Sequence, residues 1–598
     1  MALFAPSESP AVVVKEIDLT NAVPNVQSST GAYAGAFNWG PVEEPRLITS
    51  EAGLVETFGS PKGIGTEGTD SGSATTFDFH SASYFLKYSN AMQVVRATSS
   101  GMKNAGVGEA PTTGSGNIKN IETFNSSTFT NTESWIARYP GKLGNSIAVH
   151  MMASESDGID ATEFSSWAYS TNFNTKPGTS SYVAQEGGLH DEMHIAIVDS
   201  DGLITGTKNT ILETYSYVSK AGDARNADGT TNYVKDVINS KSNYVYLGNV
   251  ASLGSHDGTT AEGFGPAVGK TTADHKDFSN QSGTQEVQVQ RLSGGSNGTA
   301  TPTLANYQSA FNQFSDVDTI EVDFLMTPGM VTRVEQTALT NHLTSIASSR
   351  KDCVAVSSPA RTDVVDLNTG QNAKAIATAD TFTNSSYLIV DNNYLKIYDK
   401  YNDKFIHIPA ASSTAGLMAA TDRNSAPWFS PAGPRRGAYL GITGLAYNPT
   451  KGERDSLYKA GVNPIANIPG QGLLLYGDKT HQNRSSAFDR INVRRLFLVL
   501  ERAIARAAQN VMFEFNDEFT RAEFVGIIEP VLRNVQGRRG ITDFKLVCDE
   551  TNNGPEIVDT NQFVANIFIK PARSINFITL NFVAVRSGVA FEEVVGTV

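Results

Sequence analysis

The sequence has little cysteine: two residues, Cys353 and Cys548, in 598. That excludes a disulfide framework. Both lie beside apolar runs, so each is expected to be a buried free thiol. Basic charge is also short. There are 47 Lys and Arg against 61 Asp and Glu, a formal net charge of −14. A nucleic-acid backbone needs a concentrated basic face, so no direct nucleic-acid partner is expected. No uninterrupted apolar run reaches the length of a membrane span, which argues against membrane insertion. The opening MALFAPSESPAVVVKEIDLT lacks a basic stretch followed by a long apolar one. A Sec-type signal is therefore not expected, and a soluble protein is.

What is present describes a globular chain. Hydrophobic residues are 40%, charged residues 18%, and glycine occurs 52 times. This is far from the signature of disorder. At roughly 100–200 residues per domain, the length suggests about three to five domains, and no solenoid-type repeat runs through them.

Residues 1–22 read as an extended arm. Pro6 and Pro10 disfavour helix, and Val12, Val13 and Val14 form a β-prone run with Ile17 just beyond. That run either joins a distant strand of its own chain or adds to a neighbour's sheet. From residue 23 to 97 the pattern is compact α/β. It reads as a strand, a Gly-Pro turn and a second strand in TGAYAGAFNWGPVEEPRLIT, then a helix opened by Thr49 or Ser50 and ending near Phe58-Gly59. A helix over Ala82–Tyr88 and a strand over Met92–Ala97 follow.

Around residue 98 the composition turns to Ser, Thr, Asn and Gly. Residues 98–344 read as one or two β-rich insertion domains, divided if two into 98–188 and 189–344, the latter holding HIAIVDSDGLITG as a hairpin with Asp-Gly turn chemistry. Helical periodicity returns with Leu304–Phe314 and Val331–Ser349, alternating with strands in βαβ order. Near the C-terminus two helices, Ile491–Val511 and Glu518–Gln536, precede strands at Phe544–Cys548, Gln562–Ile569 and Ile575–Val585. A kink is possible at Pro530. The tail GVAFEEVVGTV, with Val589, Phe591, Val594 and Val595, is a second detached β-prone end. The fold class expected is thus α/β and mostly-β multidomain, with β-rich insertions and extended terminal arms.

Catalytic motifs fail on inspection. Gly263–Thr271 ends like a phosphate-binding loop, but the required first glycine falls on Phe264, and Pro266 removes a backbone N–H. His190 and His194 have zinc-ligand spacing only if helical, and His194 begins a β-prone run. Glu43-Glu44 and Glu592-Glu593 are sequence neighbours, which does not make an acid/base pair. Arg538-Arg539, between glycines, is a basic turn. No catalytic residue, metal site or cofactor is expected. The helix from Ile491 carries more: Arg495, Arg502 and Arg506 fall on one stripe, opposite Val493, Leu496, Phe497, Leu500, Ile504 and Val511. Either this is an ordinary solvated basic face, or it is a ridge that docks on an acidic partner.

Several blocks stand together in the chain: Ser9-Pro10 with VVVKEID, TGAYAGAFNWGPVEEPRLITSEAGLVETFGSP, AMQVVRA, RYPGKLGNSIAV, PAGPRRGAYLGITGLAYNPTKGERDSLYKAGVNPIANIPGQGLLLYGDKT, RINVRRLFLVLERAI, VMFEFNDE and CDETNN. In combination they resemble the tail sheath proteins of contractile phage tails, especially the T4-like group. Residues 100–135 and 250–300 match least.

The resemblance implies a structural subunit that is not an enzyme. It would stack as hexameric rings around a tail tube and contract by rigid-body rearrangement during genome delivery. Its partners would be its own copies, the tail tube protein, the baseplate and the tail terminator or neck proteins. It would be assembled in the host cytoplasm and carried in the virion. The implied domains are exchange arms at 1–22 and 588–598, a middle α/β domain of 23–97 with 345–475, an outermost insertion at 98–188, an outer insertion at 189–344, and an inner tube-facing domain at 476–587. Val12, Val13, Val14, Ile17, Val589, Phe591, Val594 and Val595 would exchange strands between subunits. Arg495, Arg502 and Arg506 would face the tube. A phage-derived contractile injection device is a variant of the same reading. Two other classes compete: another self-assembling surface protein, suggested by the Ser/Thr/Gly-rich middle, and an enzyme, which would need one of the failed motifs.

Overall fold

The computed structural model describes residues 29–62, 74–107, 117–129, 134–153, 161–187, 190–249, 287–298, 301–365 and 367–574. Both terminal arms, the strand expected at Ile575–Val585 and the loop Gly263–Thr271 lie outside these residues. The described residues fall into two compact units, 29–427 with 431–494, and 428–430 with 495–574.

The first unit is built on a six-stranded sheet. Its order is Leu388–Val390, Val354–Ser357, Phe324–Met326, Gly31–Gly35, Met92–Arg96 and Arg46–Ile48. All neighbours are parallel except the last pair. Gly31–Gly35 is buried along its whole length, as a parallel strand covered on both faces must be. Helix Ala74–Phe85 packs so closely on it that a Cβ on Gly31 would lie 2.6 Å from the Phe85 ring. The two strands read in TGAYAGAFNWGPVEEPRLIT are not neighbours, because Met92–Arg96 lies between them.

Local signals set the helix starts. Ser50 caps Glu51–Phe58 by accepting from the Gly53 N–H. Thr303 with Asn306 and Thr332 with Glu335 form capping boxes at Leu304–Asn312 and Arg333–Arg350. These helices bury Phe311, Leu339 and Leu343 in the same core as Leu325 and Ala355.

A second sheet of seven strands grows from this unit, in the order Val245–Leu247, Trp135–Ala137, Gly106–Val107, Val287–Ser293, Ile147–Ala153, Glu192–Asp199 and Thr210–Ser219. The chain enters and leaves it by a short ribbon in which Lys103 pairs with Ser296 and Met102 with Asn297. At the foot of the ribbon Gly298 has φ +77°, and a side chain there would meet the Ser100 carbonyl at 2.5 Å.

This topology corrects the expected boundaries. Strands from both sides of residue 188 share the seven-stranded sheet, so 98–188 and 189–344 are not separate sheets. Phe324–Met326 belongs to the six-stranded sheet, and helix Arg333–Arg350 packs into that sheet's core, so the insertion closes near 298 and not at 344. The hairpin read in HIAIVDSDGLITG is also corrected: the return strand starts at Thr210. Asp199 is the reason. Its carboxylate accepts from the N–H groups of Gly202, Leu203, Ile204 and Thr205, organising a long loop in place of a two-residue turn.

The second unit holds most of helix Ile491–Gln509, whose first four residues belong to the first unit, together with helix Glu518–Gly537 and an antiparallel pair, Ile541–Val547 with Asn566–Pro571. Helix Glu518–Gly537 runs on through Pro530 as one element and buries Phe524, Ile528 and Leu532.

Candidate assembly surface

The two histidines do not form a pair on one face: His194 is buried and His190 is only partly so. His190 sits outside any helix at φ +62°, and His194 lies in strand Glu192–Asp199. The His194 Nε2 hydrogen-bonds the Thr175 carbonyl at 2.8 Å, and its Nδ1 accepts from the Tyr217 N–H at 3.1 Å. Phe173 stacks on the ring at 4.4 Å. Burial lowers the His194 pKa, and both nitrogens are occupied. Among the described residues, no group of three His, Cys, Asp or Glu is placed to hold a metal ion. Cys353 and Cys548 are buried free thiols, both pushed above the ordinary range by burial. Among the described residues, no helix is long and apolar enough to cross a membrane.

Helix Ile491–Gln509 carries the predicted arginine stripe, but its three members are not equivalent. Arg502 and Arg506 are half-buried, whereas Arg495 is 4% exposed. Every residue from Ile491 to Leu496 is buried, so the first turn has no solvent face. A helical wheel gives the angle of a side chain and not the depth of its turn, and Arg495 is therefore not part of an exposed basic ridge.

Two arginines that periodicity did not single out hold the start of this helix within the first unit. Arg494 is layered between the rings of Tyr387 and Phe488, at 4.2 and 4.1 Å, with its Nη2 2.5 Å from the Ser386 hydroxyl. Arg490 donates to Asp478 at 3.0 Å and also to the Tyr458 hydroxyl. Phe488 and Asp478 lie close to the helix along the chain, but nothing local in the sequence announces Tyr387, Ser386 and Tyr458, which lie 107, 108 and 32 residues from the arginines they meet.

The second unit presents two surfaces suited to assembly. Among the described residues its strand pair is two strands wide and half-exposed on both, with Phe568 open to solvent. Two strands alone are marginal in water, so such a pair gains from added strands. Between the two helices Met512, Phe513 and Phe515 are exposed, and so is Phe519 in the first turn of the second. Phe513 is fully exposed and sits at φ +71°, a left-handed conformation that side chains seldom adopt.

The family model of the phage tail sheath protein central domain matches residues 300–481, and that of the phage tail sheath C-terminal domain matches 483–584. The first match opens just after the foot of the insertion at Gly298. The tail sheath protein of Vibrio phage KVP40 is 30% identical, with 98% of this chain and 99% of that protein aligned. The tail sheath protein of Enterobacteria phage T4 is 31% identical at the same coverage. The crystal structure of a sheath tail protein from Listeria innocua superposes with a TM-score of 0.51 at 11% identity, over 91% of this chain and 96% of that one. That likeness shows a shared mixed α/β multidomain fold.

Proposed function

This chain belongs to the family of phage tail sheath proteins, and from that premise we propose that it is the repeating subunit of a contractile tail sheath. Copies stack as hexameric rings around a tail tube, and the assembled sheath is a virion component. A baseplate signal starts contraction, and a terminator or neck protein closes the other end. The subunit acts by repacking and not by catalysis. Subunits turn as rigid bodies between two arrangements, and the free-energy difference between those arrangements drives the tube forward without a nucleotide.

The observation that carries this reading is the half-exposed strand pair Ile541–Val547 with Asn566–Pro571. In this reading it accepts β-prone segments such as Val12–Val14 with Ile17, or Val589–Val595 with Phe591, donated by neighbouring copies. Main-chain hydrogen bonds then supply affinity, and alternate side chains supply register. Such links let copies swivel without parting. In this scheme the second unit lies innermost and the seven-stranded insertion outermost. Arg502 and Arg506 face the tube, and Arg495, being buried, does not.

Negative-stain microscopy of the purified chain tests the proposal. Striated tubes are expected at high protein concentration, and dispersed particles at every concentration would overturn it. Reversing charge with R502E/R506E is expected to give sheaths that contract early or assemble without a tube. Normal extended tails from that variant would remove these arginines from the scheme.

A further inference from the structure

The exposed aromatics at 512–519 have no function in the scheme so far, and neither does the PAGPRRGAYLG block. Both are built features. The loop is fixed at its base: the Asn516 side chain donates to the Gln562 carbonyl at 2.8 Å and to Asn553 at 3.2 Å, and Arg521 donates to the Asn516 side chain at 2.9 Å. Asp517 caps the following helix through the Thr520 N–H at 2.8 Å. A loop held this firmly still leaves Phe513 and Phe515 at 100% and 83% exposure. Solvated rings on a rigid support, one at a strained φ, mark an interaction surface.

The PAGPRRGAYLG block forms the rim of a cavity of about 460 Å³ in the first unit, lined by Tyr88, Leu417, Ala420, Arg435, Arg436 and Leu440 among others. Its walls are also fixed. The Leu440 N–H donates to the Tyr88 hydroxyl at 2.7 Å. The turn from Gly433 to Gly437 is closed by its own hydrogen bond of 2.7 Å, and bonds of 2.9 and 2.8 Å join it to Leu475. Leu440 remains 51% exposed at the rim. Burial and the adjoining Arg435 charge lower the Arg436 pKa, the mark of crowded positive charge.

We propose that the Met512–Phe519 loop of one copy docks into the Arg435–Leu440 cavity of a second copy. This rests on the sheath reading and names one contact within it. The two surfaces match in chemistry. The loop interleaves aromatic residues with Glu514 and Glu518, and the cavity sets apolar walls beside two guanidinium groups, which pair with carboxylates and pack on rings. The volume suits side-chain insertion, as ligand-sized pockets fall at about 300–1,000 Å³. The surfaces are unlike and lie on different units, so the contact is head-to-tail. Repetition of such a contact closes a ring or extends a helix, the two symmetries a sheath needs.

The test uses full-length protein. F513S/F515S alters only exposed side chains, and unchanged circular dichroism and melting confirm its fold. It should stay dispersed where the natural chain forms tubes. R435E/R436E should also fail, and joining it to E514R/E518R should restore tubes. When a chain carrying F513C is mixed with one carrying L440C, a disulfide should join the two copies. The native cysteines are buried, so this crosslink reports the engineered pair. The inference is overturned if both variants build tubes like the natural chain, if they lose only the grip on tail tube protein, or if no disulfide joins the F513C chain to the L440C chain in assembled tubes. Failure of the natural chain itself to form tubes would instead overturn the sheath reading.

Discussion

Tyr307 donates a hydrogen bond of 2.8 Å to Asp78, although 229 positions separate them. The same buried carboxylate accepts from the Tyr33 hydroxyl at 3.0 Å and the Ala36 N–H at 2.7 Å. One side of this knot precedes the seven-stranded insertion and the other follows it. Burial raises the Asp78 pKa to about 6, against the pull of these three donors. Removing one donor with Y307F is expected to raise it further and to cost about 1.5–3 kcal/mol, the range for a buried hydrogen bond to a charged group. Denaturant unfolding of the first unit measures this. A loss under about 0.5 kcal/mol would show that the knot does not hold the sheet to its helices.

The insertion is expected to be separable. Its two ends meet, with the Gly298 Cα 3.8 Å from where a Cβ on Gly101 would lie. Excising residues 102–297 behind a short Gly-Ser bridge should leave a protein that still unfolds cooperatively. The cost falls on Trp39, which packs in the insertion's core, and on buried Arg96, which donates to the Pro140 carbonyl at 2.7 Å. A product without a cooperative melt would show that the six-stranded sheet depends on the insertion.

Asp391 gives a pH prediction with a definite sign. It is buried at the end of strand Leu388–Val390 and accepts from the Thr414 hydroxyl at 3.2 Å. Burial raises its pKa from 3.8 to about 7. A carboxyl raised on folding contributes stability that is present below 3.8 and is lost as pH rises through about 7. D391N has no such proton to lose. From acid to neutral pH its stability relative to the natural chain should rise, by an amount on the order of 4 kcal/mol. Equal pH profiles for the two proteins would show that Asp391 is not the titrating group.

The arms can be tested by deletion. A chain lacking residues 1–22 and 588–598 should fold, yet build no tubes that survive shortening. Intact, contracting tubes from this deletion would show that strand exchange is not what links the copies.

Much of the fold was legible locally. The Ser50 cap, the start of the helix at Leu304 and the βαβ order each rest on residues within a few positions of one another. The insertion boundary was not, because membership of a parallel sheet is decided across long crossovers, as for Phe324–Met326 between Gly31–Gly35 and Val354–Ser357. The Asp-Gly turn misled because Asp199 spent its carboxylate on four N–H groups of a longer loop. At the candidate site, periodicity found the stripe of Arg495, Arg502 and Arg506 but not the depth of Arg495. It passed over Arg494, whose partners Tyr387 and Ser386 lie about a hundred residues away.

In the proposed function this chain works by changing how unchanged copies pack. Density maps of one assembled tail before and after triggering test it most directly. The expected result is a shorter, wider sheath in which both units keep their internal strand registers. A sheath of fixed length, or one that shortens by unfolding the six-stranded sheet, would contradict it.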